Sequence, residues 1–497
     1  MKGGGSETVS LAVQDLIVQK WTIMWRSIVL SALGKAAYPY CRHLRMLDLR
    51  DLSYLLDHDK FRNKNSKIAK YFFAGDLARF RLTIDTPIKT GSRLGIGRLD
   101  SASVLSAIGD TVTQAAPLLE ALSEPTITDI LSTALLTWAP QLKHLRFLQL
   151  WDGKALADDT LRNLLHIHCP NLQQLSIYRW TGDDSDHQLA TFIYGMQPNT
   201  LTYFENISTV GIGAETTLAL NSHDKSLQTL KLALADEGIL ALGYLRGCTS
   251  IESLSIGSLR PSVDLKATQN DVYVEIVEWL RTCKNLRDIK LENIVSAPDL
   301  LTPMLLESDI KLEELQIKAT EGSMYLVMDH RDFHQSLAQQ PTLRRLLLRA
   351  DPEAMSRDDI EALMNAFCSL TELRELNLTR ISDYLSDEHI KLLASHLPNL
   401  EELYIGGYGI SDAVWQSLAA LPELKTLTFS GLTNFTEQGM LSFVNDLKES
   451  NRGIALSIDM AETESAIPQS GQDTIREALS STLDGRFEYQ LLRGECA

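Results

Sequence analysis

Hydrophobic positions recur along most of this chain in one short pattern, apolar-x-x-apolar-x-apolar. It reads Leu145/Leu148/Leu150, Leu172/Leu175/Ile177, Leu201/Phe204 with Asn206 in the third place, Leu227/Leu230/Leu232 and Ile251/Leu254/Ile256. It continues as Leu286/Ile289/Leu291, Leu312/Leu315/Ile317, Leu343/Leu346/Leu348, Leu373/Leu376/Leu378, Leu400/Leu403/Ile405 and Leu424/Leu427/Phe429. The last two apolar places of each copy alternate with polar ones, which predicts a strand buried on one face. Between copies the period becomes helical, i, i+3, i+4, i+7. Examples are Ile360/Leu363/Met364/Phe367, Ile390/Leu393/Ala394/Leu397 and Met440/Phe443/Val444/Leu447. Ser356 and Ser386 precede two of these helices, where a hydroxyl caps free backbone N–H groups.

From Leu145 to Leu424 the copies return about every 28 residues, inside the range of leucine-rich repeats. Neither the strand nor the helix of one unit buries its apolar face alone, so the units must stack. The predicted fold class is α/β: a leucine-rich-repeat solenoid, or horseshoe, with a parallel sheet on the concave face and helices on the convex face. The main array spans 139–447. Leu44/Leu47/Leu49 and Leu77/Phe80/Leu82 predict first repeats over 41–82, preceded by an N-terminal helical segment over 1–40. Residues 83–138 read as an interruption, a loop around Gly91–Gly97 followed by helices near Ser101–Leu122 and Thr126–Trp138. Residues 448–497 read as a degenerate capping repeat, with a strand at Leu456/Ile458 and a helix near Asp473–Leu483.

Composition narrows the function. A net charge of −17 over 497 residues argues against nucleic acid and anionic membrane surfaces as general partners. No apolar run is long enough to span a bilayer or serve as a signal-peptide core, so the expected compartment is the cytoplasm or nucleus. Cys41, Cys169, Cys248 and Cys283 each stand three residues before the first apolar place of a strand, a slot held elsewhere by Leu142, Leu397 and Leu421. Four of six cysteines in one repeat slot predicts a packing role rather than redox or metal chemistry.

Catalytic motifs are missing. His166, His168 and Cys169 lie at a helix end on different sides of it, which suits packing better than a metal. The acidic loop Asp183-Asp184-Ser185-Asp186 lacks the glycine and distal glutamate of a calcium loop. The glycine-rich stretch from Gly91 to Arg98 matches no phosphate-binding pattern. The chain is therefore expected to be no enzyme, with no cofactor and no metal.

Units such as "DDTLRNLLHIHCPNLQQLSI" and "SDEHIKLLASHLPNLEELYI" resemble the cysteine-containing leucine-rich repeats of F-box proteins. The opening "WTIMWRSIVLSALGKAAYPYCRHLRMLDLRDL" looks like the junction of fungal F-box/leucine-rich-repeat proteins, where the last F-box helix meets the first repeats. The Leu-Pro start of an F-box is absent, and the 40 residues before Cys41 are fewer than a whole F-box. The resemblance implies the substrate-recognition subunit of a cullin-type ubiquitin ligase, holding the ligase adaptor through its N-terminal helix. The alternative is a free-standing interaction scaffold with no link to ubiquitin.

A partner is expected on the concave face, where the open strand positions form two patches. One is aromatic: Phe147, Trp151, Tyr178, Trp180 and Tyr203. The other is basic, with Lys290, Lys318, Arg345 and Arg349 suited to an acidic or phosphorylated protein segment. Asp288, Glu292 and Glu314 on the same rungs are candidates to neutralise it.

Overall fold

A strand with every second side chain apolar buries one face only if something covers that face, and in a repeat the next helix does so. The computed structural model describes residues 5–62, 66–84, 98–125, 129–207, 211–258, 264–320, 322–351, 355–379, 381, 384–461 and 466–491. They divide into two compact units, 1–227 and 228–497.

In the first unit five strands pair in parallel in chain order: Met46–Asp48, Ala121–Ser123, Phe147–Asp152, Gln174–Arg179 and Tyr203–Asn206. In the second, strands Thr229–Leu234, Ser253–Ser258, Asp288–Glu292, Glu314–Lys318 and Arg345–Leu348 do the same. They are followed by Glu375–Leu378, Glu402–Gly406, Thr426–Ser430, Ala455–Ala461 and Arg486–Leu491. The register sets each motif position against its equivalent, so Leu315, Leu346, Leu376, Leu403, Leu427 and Leu456 form one buried column. Both units are α/β leucine-rich-repeat solenoid, as the periodicity predicts.

The cysteine slot has a physical rationale. Cys41, Cys169, Cys248 and Cys283 are all buried. The Cys283 thiol donates to the Cys248 carbonyl of the preceding repeat at 3.7 Å, and the Cys169 thiol lies 4.0 Å from the Ala139 carbonyl. Burial pushes both thiols up to about 12, so they stay protonated. Amides occupy the same slot in other repeats: Gln340 donates to Leu305 O at 2.8 Å and Asn451 to Leu421 O at 3.1 Å. A polar group in this slot satisfies a buried carbonyl one repeat back, whereas Leu142, Leu397 and Leu421 fill the same slot by packing alone.

Several expectations need correction. The stretch 83–138 does contain a repeat: strand Ala121–Ser123 pairs Leu122 with Leu47 on one side and Leu148 on the other. Helices Ser101–Ala115 and Ile130–Trp138 flank it. Conversely, Leu77/Phe80/Leu82 is no rung. Gly75–Phe80 is a 3₁₀ helix that buries Leu77 and Phe80, and the short strand Thr83–Ile84 pairs antiparallel with Arg98–Leu99. The loop around Gly91–Gly97 lies outside the described residues. At the far end helix Gln469–Leu483 is longer than expected, and strand Arg486–Leu491 adds a rung beyond Ala455–Ala461.

The N-terminal helix runs Gly5–Ala32. One side buries Val18, Trp25 and Val29, and the Arg26 guanidinium donates to the Phe72 and Ala74 carbonyls at 2.7 and 3.0 Å. The opposite side leaves Leu16, Ile17, Ile23 and Met24 exposed. Among the described residues no helix is long and apolar enough to cross a membrane.

Candidate functional site

Within each rung the side chains between the inward leucines face away from the helices, onto the open face of the sheet. In the first unit, Phe147, Gln174 and Tyr203 stand in register at the start of three strands. Toward the strand ends, Trp151 stacks on Tyr178 with centroids 4.4 Å apart and rings 24° from parallel. The Arg179 guanidinium lies 5.6 Å from the Trp151 ring centroid, a cation–π contact. Tyr178 is 42% exposed, so this stack is presented to solvent rather than folded into the core. Between the two aromatic ends the middle positions are polar, with Ser176 donating to Glu205 at 2.7 Å.

Trp180 departs from expectation. It is buried, because the strand ends at Arg179 and the alternation ends with it. The indole lies over Gly153, where a Cβ would stand 2.2 Å from Cε3. Trp180 therefore belongs to the core and Gly153 makes its space.

Glu124 supports this patch from beneath. It is buried, and its carboxylate accepts from Leu131 N at 2.8 Å and Trp151 N at 2.7 Å, tying a helix start to the rung that carries Trp151. Desolvation outweighs these hydrogen bonds and raises the carboxyl to about 7. The acidic loop has a similar structural use. Asp186 accepts from Gly213 N and Thr216 N at 2.8 and 2.9 Å, capping the next helix, Ala214–Leu220. His166 lies against Phe192, its Nε2 3.0 Å from the Phe192 carbonyl.

In the second unit the four basic residues separate into two kinds. Lys290 pairs with Glu292 at 2.9 Å, and Arg345 pairs with Glu314 on the adjacent rung. Both are neutralised. Lys318 and Arg349 sit side by side at the ends of neighbouring strands and line a cleft of about 380 Å³ with Asn293, Thr320, Leu347 and Glu292, whose carboxylate is paired with Lys290. Neither makes an ion pair among the described residues, and the Arg349 Nε is buried without a hydrogen-bond partner. A half-buried guanidinium with no ion-pair partner, beside an ammonium, favours an anion.

Sequence reading named Asp288 and Glu314 at the other end of these strands but missed that the carboxylates continue at Glu375 and Glu402. The first open position reads Asp288, Glu314, Arg345, Glu375 and Glu402 across five consecutive rungs. Carrying the third motif position through Glu375 and Glu402 would have found it.

No protein-family model and no curated protein matches the chain. Among solved structures it is similar to the complex of Rad7 and Elc1 in yeast, at 20% identity and a TM-score of 0.43, covering 68% of this chain and 84% of that one. It is also similar to an internalin (inlF) from Listeria monocytogenes str. 4b F2365, at 17% identity and a TM-score of 0.38, covering 68% and 81%.

Proposed function

We propose that this chain is a protein-binding scaffold whose open sheet face holds a partner protein and which carries no catalytic step of its own. The observation that carries the reading is the unpaired Lys318–Arg349 cleft, on a face lined by strand side chains that the core does not need. The Trp151–Tyr178 stack is a second, apolar anchor of the kind that dominates protein interfaces. The cleft suits an acidic or phosphorylated protein segment.

The finer reading is the substrate-recognition subunit of a cullin-type ubiquitin ligase. Its support is the N-terminal resemblance together with the exposed Leu16, Ile17, Ile23 and Met24, an apolar side suited to an adaptor. In this reading the helix docks on the adaptor and the sheet presents the substrate. The test is a pull-down of the full chain with the ligase adaptor, alongside Ile23→Asp/Met24→Asp. Capture by the wild type and loss in the variant supports the ligase reading. Absence of capture by the wild type leaves the free-standing scaffold.

A further inference from the structure

On the open face of residues 228–497 two like-charged pairs stand apart, Glu375 and Glu402 at the starts of their strands and Lys318 and Arg349 at the ends of theirs. At the strand starts, a cleft of about 340 Å³ is lined by five carboxylates and three guanidiniums. Arg345 is taken by Glu314, while Glu375 and Glu402 stand in register on adjacent rungs. The Glu402 carboxylate accepts from the Tyr404 hydroxyl at 2.7 Å, and Glu375 makes no ion pair among the described residues. Burial first, and then repulsion from Glu402, raises the Glu375 carboxyl; burial and Glu314 do the same to Asp288. Arg345 and Lys318 offset this only in part for Glu375, as Arg345 and Arg287 do for Asp288. Lys318 and Arg349 lie two rungs away at the opposite end of their own strands, four residues on from Glu314 and Arg345, with Glu292 lining the same cleft.

Strand geometry sets the separation. Four residues of strand cover about 13 Å, and two rungs cover about 10 Å, so the Glu375/Glu402 pair lies about 16 Å from the Lys318/Arg349 pair.

We propose that this face selects a protein segment of opposite polarity: an anionic group, carboxylate or phosphate, over Lys318 and Arg349, and a lysine or arginine about 16 Å away over Glu375 and Glu402. The inference rests on the reading that the open face holds a protein partner, and adds the partner's charge pattern. An arriving cation relieves the repulsion between the two acids, whereas a second anion there is penalised. A polyanion such as RNA satisfies one end and is repelled by the other, so the face discriminates against it.

The test uses the full chain and dye-labelled synthetic peptides in fluorescence anisotropy. Each peptide carries one phosphoserine in a Gly/Ser background, with Lys, Ala or Glu five residues away. The lysine peptide should bind tightest, about tenfold better than the glutamate peptide. Glu375→Lys should reverse that order, with Glu402→Lys as a second variant should the first not fold. Lys318→Glu/Arg349→Glu should weaken all three peptides. Equal affinity for the three, with binding still lost in Lys318→Glu/Arg349→Glu, overturns the polarity and leaves the scaffold reading standing. Affinities that do not depend on Lys318 and Arg349 contradict the charged site itself. Binding of single-stranded poly-uridylate more tightly than the lysine peptide also overturns the proposal.

Discussion

The rungs of residues 1–227 and of residues 228–497 share one kind of interior and differ on the opposite face. Leu148, Leu175 and Phe204 in the first occupy the places of Leu315, Leu346 and Leu376 in the second, and all six are buried. On the open face the first unit presents an aromatic stack and the second presents charged side chains, some paired across or along the rungs and some not. An inward side chain must fill the space between sheet and helices, so its volume and polarity are constrained by packing. An open position need only tolerate a strand, and is left for recognition.

That contrast predicts an order of effects. Trp279→Ala removes a buried indole whose Nε1 donates to Cys248 O at 3.0 Å, and should cost about 3–5 kcal/mol in urea unfolding. A loss under 1 kcal/mol would mean that the interior is not the source of stability.

Glu124 gives a pH-dependent effect. Its carboxyl has an ordinary value of 4.5 and sits at about 7 in the fold, so the folded state binds the proton more tightly. The resulting stability is present below about pH 4.5 and is lost as pH rises through about 7, up to about 3 kcal/mol. Glu124→Gln should remove this dependence, making the wild type lose stability relative to the variant between pH 5 and pH 8. Parallel unfolding curves for the two at both pH values would contradict it.

Gly153→Ala drives a methyl into the Trp180 ring and should cost about 1–3 kcal/mol, seen as a lower thermal midpoint. An unchanged midpoint would return Trp180 to the open face. Tyr178→Ala should have the smallest effect on stability, about 1 kcal/mol, because its ring is exposed and stacked on Trp151. A loss as large as that of Trp279→Ala would erase the distinction between the two faces.

The same distinction decides what was legible in the sequence. Repeats with three apolar places announced themselves, because burial imposes the spacing. Ala121–Ser123 did not: around it only Leu119 and Leu122 follow the pattern, and Glu124 fills the third place. Leu77 and Phe80 misled because a spacing of three also fits one 3₁₀ turn. On the open face, strand parity placed Lys318, Arg349, Trp151 and Tyr178. It failed for Trp180, one residue beyond the strand, and it did not show which bases their neighbours neutralise.

On the proposed function the open face, not the helical face, meets a protein partner. Site-specific photo-crosslinkers placed at Tyr178 and at Lys318 test it, with Ile167 as the comparison; Ile167 is 70% exposed on the helix Asp159–His168. Positions 178 and 318 should crosslink to a protein and position 167 should not. Crosslinking from position 167 alone would contradict it.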